Sequence, residues 1–76
     1  MKRHILTARE TQVANLVAQG QSNAEIADSL EISRSTVKSL LSTIMIKWNC
    51  TNRTQVGVAV VRRATDADTS AENRSA

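Results

Sequence analysis

Small hydroxyl residues crowd the middle of the chain: between Ser22 and Lys47 stand Ser22, Ser29, Ser33, Ser35, Thr36, Ser39, Ser42 and Thr43. No acid pair and no nucleophile–base pair accompanies them, so no enzyme is expected and no catalytic residue is assigned. The chemistry on offer is recognition. With Val37 turned to a core, Ser35, Ser39, Ser42 and Thr43 point away from it, beside Thr36, Arg34 and Lys38. Short side chains let a helix backbone approach base edges, and hydroxyls donate or accept there or at phosphates. An ordinary solvated face would use Lys, Glu and Gln, because Ser and Thr are indifferent helix formers. This concentration therefore marks a contact surface, with Arg34 and Lys38 supplying charge at a groove rim. Amides freed at the Ser33 end of the helix suit a phosphate.

The elements that must hold this face are helices with clear start signals. Thr7-Ala-Arg-Glu10 and Ser22-Asn-Ala-Glu25 have capping-box form, and Asn52-Arg-Thr-Gln55 reads as a third. The first helix carries Val13, Leu16 and Val17 and should stop at Gly20. The second is short and bears Ile26, Ala27 and Leu30. Ser33 caps the third, whose buried stripe is Val37, Leu41, Ile44 and Trp48. From Ser22 to Trp48 the spacing is that of a helix-turn-helix. Ile32 should plug the angle between its helices, and Glu31 should take the left-handed conformation, at ~1 kcal/mol relative to glycine. A fourth helix runs from Asn52 to about Arg63, so 1–64 form one all-α domain. The remainder, 65–76, has no apolar period and reads as a disordered polar tail.

Composition agrees. The chain has 76 residues, no proline and two glycines, which suits one small helical domain. Trp48 is the sole aromatic, against the exposed rings of single-strand and RNA binders. One cysteine, Cys50, and one histidine allow neither an internal disulfide nor a metal site, and no cofactor is expected. The N-terminus turns polar at Thr7, too early for a signal peptide or membrane span, so a cytoplasmic, nucleoid-associated protein is expected. Residues 1–63 hold nine Lys/Arg against four Asp/Glu, more basic than the overall +3.

With these elements in place, the chain resembles the LuxR/FixJ/GerE-type DNA-binding domain. The likeness is carried by Leu6-Thr-Ala-Arg-Glu10, Val13, Gly20-Gln-Ser-Asn-Ala-Glu-Ile-Ala27, Ile32-Ser33, Thr36-Val-Lys38, Leu41, Ile44, Lys47 and Asn52-Arg-Thr-Gln55. It implies a four-helix domain that binds bacterial promoters as a dimer and regulates transcription. It also implies base contacts by Lys38, Ser39 and Ser42, which Arg34 joins from the rim. Phosphate contacts are implied for Ser22, Asn23, Ser35, Thr36, Lys47, Asn52 and Arg53. Leu40, Ile46 and Trp48 depart from the family's usual residues there.

The fourth helix has two apolar sides: Val56, Ala59 and Val60 make one, and Gly57, Val58 and Val61 the other. Four short helices cannot cover both, and the resemblance also places a dimer contact here. Thr54, Gly57, Val58 and Val61 are the expected homodimer interface. The expected partner is double-stranded DNA bearing an inverted repeat, with RNA polymerase or a larger regulator as further partners. So little precedes Leu6 that a stand-alone regulator is expected. The rival reading is a protein-interaction module, an anti-activator that pairs with a larger LuxR-type regulator. Lys38, Lys47 and Arg53 favour DNA; Leu40 and Ile46 lean towards protein.

Overall fold

The computed structural model describes the backbone of residues 5–75 and the side chains of 5–64. Four helices occur in order: α1 (Ala8–Ala18), α2 (Asn23–Leu30), α3 (Arg34–Lys47) and α4 (Arg53–Ser75). No strand occurs among the described residues, so the fold is all-α as expected.

The helix starts are local. Thr7 Oγ1 accepts from the Glu10 amide at 3.2 Å while Glu10 Oε1 accepts from the Thr7 amide at 2.8 Å. Ser22 and Glu25 repeat this at 3.1 and 2.8 Å, and Ser33 accepts from the Thr36 amide at 3.0 Å. The third box forms only by half. Asn52 Oδ1 accepts from the Gln55 amide at 2.9 Å, but the Gln55 carboxamide reaches one residue further back, to the Thr51 amide and hydroxyl. Gln55 thereby satisfies a loop donor that the capping box would have left to water.

The first three helices end alike. Gly20, Glu31 and Asn49 lie at positive φ (86°, 57° and 55°). In each case the next residue's amide reverses onto a carbonyl of the last turn: Gln21 to Leu16, Ile32 to Ala27, Cys50 to Met45, at 3.1, 3.0 and 2.8 Å. These are Schellman endings, which satisfy the last carbonyls and turn the chain sharply. The left-handed Glu31 was expected, and Ile32 behind it packs half-buried against the core.

That core is small: Val13, Ala14, Val17, Ile26, Ala27, Val37, Leu41, Ile44 and Val56 are the buried hydrophobics. α1 makes its largest interface with α4, and α3 lies against α2 and α1. Gly57 sits at the α1–α4 crossing, where an added Cβ would stand 3.5 Å from Ala18 Cα. The second backbone that approaches Gly57 is therefore α1 of the same chain. Trp48, expected in the core, is only half-buried; its ring packs on the core and carries the Arg63 guanidinium 4.4 Å from its centroid.

One long-range ion pair fastens α3 to α1. Lys47 Nζ donates to Glu10 Oε1 at 2.7 Å and to the Ile5 carbonyl at 3.3 Å. Glu10 is buried, and the Lys47 bond, with the Thr7 amide second, holds its carboxyl below its ordinary value of 4.5 against the opposing effect of burial.

The backbone of α4 runs on into the polar segment 65–76, as far as Ser75. Neither proline nor glycine interrupts it, and its alanines are good helix formers. Residues 1–4 and Ala76 lie outside the described residues.

This packing can be tested at two places. Glu31→Gly should raise stability by up to ~1 kcal/mol in urea melts, because glycine takes the left-handed region without a Cβ penalty. A clear loss would show that the Glu31 side chain makes a compensating contact. Glu10, with its carboxyl held low, contributes stability that is present above 4.5 and lost as pH falls through the depressed value. Thermal melts should show a steeper acid limb for the native chain than for Glu10→Gln. Lys47→Met should cost about 3 kcal/mol at neutral pH, the low end for a broken buried pair, by leaving a buried carboxylate without its cation. Coincident acid limbs for native and Glu10→Gln would refute the role of the pair.

Candidate nucleic-acid interface

The rotation of α3 is fixed by its buried side. Val37, Leu41 and Ile44 face the core, so residues about half a turn away must face outward. At ~100° per residue, Ser35, Ser39, Ser42 and Ile46 form one stripe on that outer face. All four are exposed, and none of the three serine hydroxyls has a protein partner among the described residues. Arg34 and Lys38, four residues apart, line one flank of the stripe and are also exposed. The ion pair between Lys47 and Glu10 is the only one among the described residues, so both flanking cations are free to meet an anion.

Thr43, on the other flank, is half-buried and returns its hydroxyl to the Ser39 carbonyl at 3.1 Å. It therefore offers less to a ligand than the three serines. Thr36 is exposed, with its hydroxyl 2.8 Å from Ser33 Oγ at the start of the helix. The exposed stripe and flank thus hold all four expected base-contact residues, Arg34, Lys38, Ser39 and Ser42, together with Ser35.

The expected phosphate contacts divide into groups. Ser35 and Thr36 open α3, beside the uncapped amides of its first turn. Asn23 and Arg53 are drawn together: the Arg53 guanidinium donates to Asn23 Oδ1 and to the Gln21 carbonyl, tying the start of α4 to the start of α2. Ser22 adjoins them, its oxygen already accepting from the Glu25 amide, and Asn52 is engaged in capping α4. Arg53 has five N–H donors, so two bonds inside the chain leave others for a phosphate. Lys47 is set apart from the rest. Its ammonium is bound to Glu10 and Ile5, and its evident work is to anchor α3.

A groove between α1 and α4 is lined by Val17, Ala18, Thr54, Gly57, Val58 and Val61, together with Arg53 and Arg62. Val58 and Val61 are 50% and 57% exposed, whereas Val56, two residues before Val58, is fully buried. The four residues expected at a dimer contact therefore share one groove, on the side of α4 that Val56 leaves uncovered.

Sequence reasoning marks Ile46 only as a departure from a pattern. Its place in the serine stripe is available from the spacing 35, 39, 42, 46, which repeats at four, three and four residues. The Glu10–Lys47 bond has no such signal, since its partners stand 37 residues apart. No group of three or more His, Cys, Asp or Glu that could hold a metal ion occurs among the described residues. No helix among them is long and apolar enough to cross a membrane.

Comparison with known proteins agrees with this geometry. The sequence profile described as "Bacterial regulatory proteins, luxR family", GerE, matches residues 4–60. The chain is 44% identical over 59 residues to the transcriptional regulatory protein DegU of Brevibacillus brevis, covering 78% of this chain and 25% of that protein. It is 46% identical over 52 residues to the monoamine regulon transcriptional regulator of Klebsiella aerogenes, covering 68% of this chain and 23% of that one. It is 44% identical over 50 residues to the quorum sensing-dependent regulator VjbR of Brucella abortus, covering 66% and 19%. The chain thus spans about a quarter or less of the length of these relatives. With a family profile over most of its length and a four-helix fold that presents α3 outward, the chain belongs to the luxR family of bacterial regulatory proteins.

Proposed function

We propose that this chain binds promoter DNA as a two-fold dimer, with α3 in the major groove, and thereby regulates transcription. The observation that carries the reading is the outer face of α3, where partnerless serine hydroxyls stand beside two unpaired cations. Arg34, Lys38, Ser39 and Ser42 meet base edges. Ser22, Asn23, Ser35, Thr36, Asn52 and Arg53 meet the phosphates on either side. Lys47 supports this indirectly, by holding the last turn of α3 onto α1.

The dimer uses the α1–α4 groove, through Thr54, Gly57, Val58 and Val61. Such a contact is self-complementary and would set two recognition helices about one helical turn, ~34 Å, apart, so the target is an imperfect inverted repeat. The exposed apolar area is small, which makes the dimer weak off DNA and firm on it.

A site selected from genomic fragments allows both parts to be tested by gel shift and footprinting at fixed salt. Lys38→Ala should weaken binding to that site by ~1–3 kcal/mol, with a smaller effect on unrelated DNA. Unchanged affinity would remove Lys38 from the interface. Val58→Asp should leave the monomer folded but bury an unpaired charge between copies, and so reduce a two-half-site footprint to isolated half-sites. A full footprint from this variant would rule out the groove as the dimer contact. If the native chain retains no genomic fragment and instead co-purifies with a larger LuxR-type regulator, the anti-activator reading replaces this one.

A further inference from the structure

The most exposed large hydrophobic residue of the described chain is Ile46, at 80%. Nothing within the fold accounts for it. A β-branched residue is a middling helix former, so an exposed turn gains nothing from isoleucine over lysine or glutamate. Its neighbours on the helix surface are the serines of the outer stripe: Ser42 lies four residues before it and Ser39 seven before. It is therefore the one apolar side chain in line with an otherwise hydroxylic face.

We infer that Ile46 is a specificity-determining residue that reads the C5-methyl group of a thymine in the major groove. This rests on the reading of α3 as the groove-facing helix. Base edges in the major groove offer nitrogen and oxygen acceptors, amino donors and a single apolar group, the thymine methyl. Serines keep the helix backbone close to those edges, so a longer isoleucine one turn further along must touch whatever lies there. Facing an acceptor or a phosphate, it would strip water and give no bond in return. Facing a methyl group, it buries apolar surface on both sides.

Ile46 also lies near the end of α3 that is tied to α1. Lys47, the next residue, is bonded to Glu10 and to the Ile5 carbonyl. That clamp keeps the last turn from swinging away from the groove, and a rigid support is what a contact worth only one or two methyl groups requires.

The test replaces thymine by deoxyuridine, one position at a time, in a site that the native chain has been shown to bind. Deoxyuridine keeps every hydrogen-bonding group and loses only the methyl. At one thymine in each half-site the exchange should weaken binding about fourfold per half-site, the value of one buried methyl-sized group. The Ile46→Ala variant should bind the thymine site more weakly and show no penalty for deoxyuridine at that position. Because Ile46 is exposed, the variant should melt like the native chain. Two outcomes would overturn the inference: tolerance of deoxyuridine at every position, or an equal penalty in native and Ile46→Ala proteins. If Ile46→Ala leaves DNA binding untouched but abolishes association with a protein partner, Ile46 belongs to a protein contact instead. If the native chain selects no site from genomic fragments, the DNA reading itself is overturned, a result that is distinguishable because it needs no deoxyuridine.

Discussion

The burial of a single apolar stripe governs this molecule. Among the described residues the core has nine buried hydrophobic residues, and three of them, Val37, Leu41 and Ile44, come from α3. A helix held by one stripe has no freedom to rotate about its axis without exposing that stripe to water. Burying Val37 therefore decides that Ser35, Ser39, Ser42 and Ile46 look outward, with Arg34 and Lys38 on the flank. The outward face of α3 is the geometric remainder of core packing.

The second constraint is how sharply the helices turn. α1, α2 and α3 are closed by the same reversed-amide ending, yet only the first uses glycine. Glu31 and Asn49 take the left-handed region with a Cβ in place, which costs about a kcal/mol at a non-glycine position. Tertiary contacts offset that cost. Ile32 and Cys50, the residues just after the turns, both pack against the core, and their burial holds each left-handed step in place.

Polar groups near the outer face of α3 divide into those kept for solvent and those used inside the fold. Lys47 is committed to a buried glutamate, and Arg53 spans from α4 to the loop before α2. A charge count would credit both to a nucleic-acid surface, but only Arg53 keeps further N–H donors beyond its bonds inside the fold. Arg34 and Lys38 stand on the exposed flank of α3, where no carboxylate among the described residues pairs with them. A phosphate or base edge would find these two charges without first breaking an internal bond.

Much of this molecule was determined by local sequence. Capping boxes at Thr7 and Ser22, the Ser33 cap, the stop at Gly20 and the left-handed Glu31 all depend on residues within five positions of one another. The period of α3 likewise needs only its own sequence, so its outward face was legible. Tertiary structure alone decided the rest. It paired Lys47 with Glu10 and Arg53 with Gln21 and Asn23, left Trp48 half-buried under Arg63, and brought Gly57 close to Ala18 of α1. The physical reason is distance along the chain. A cap or a helical stripe is closed by neighbours whose spacing is fixed by about 3.6 residues per turn. The partner of a long cation is chosen only when helices far apart in sequence come into contact.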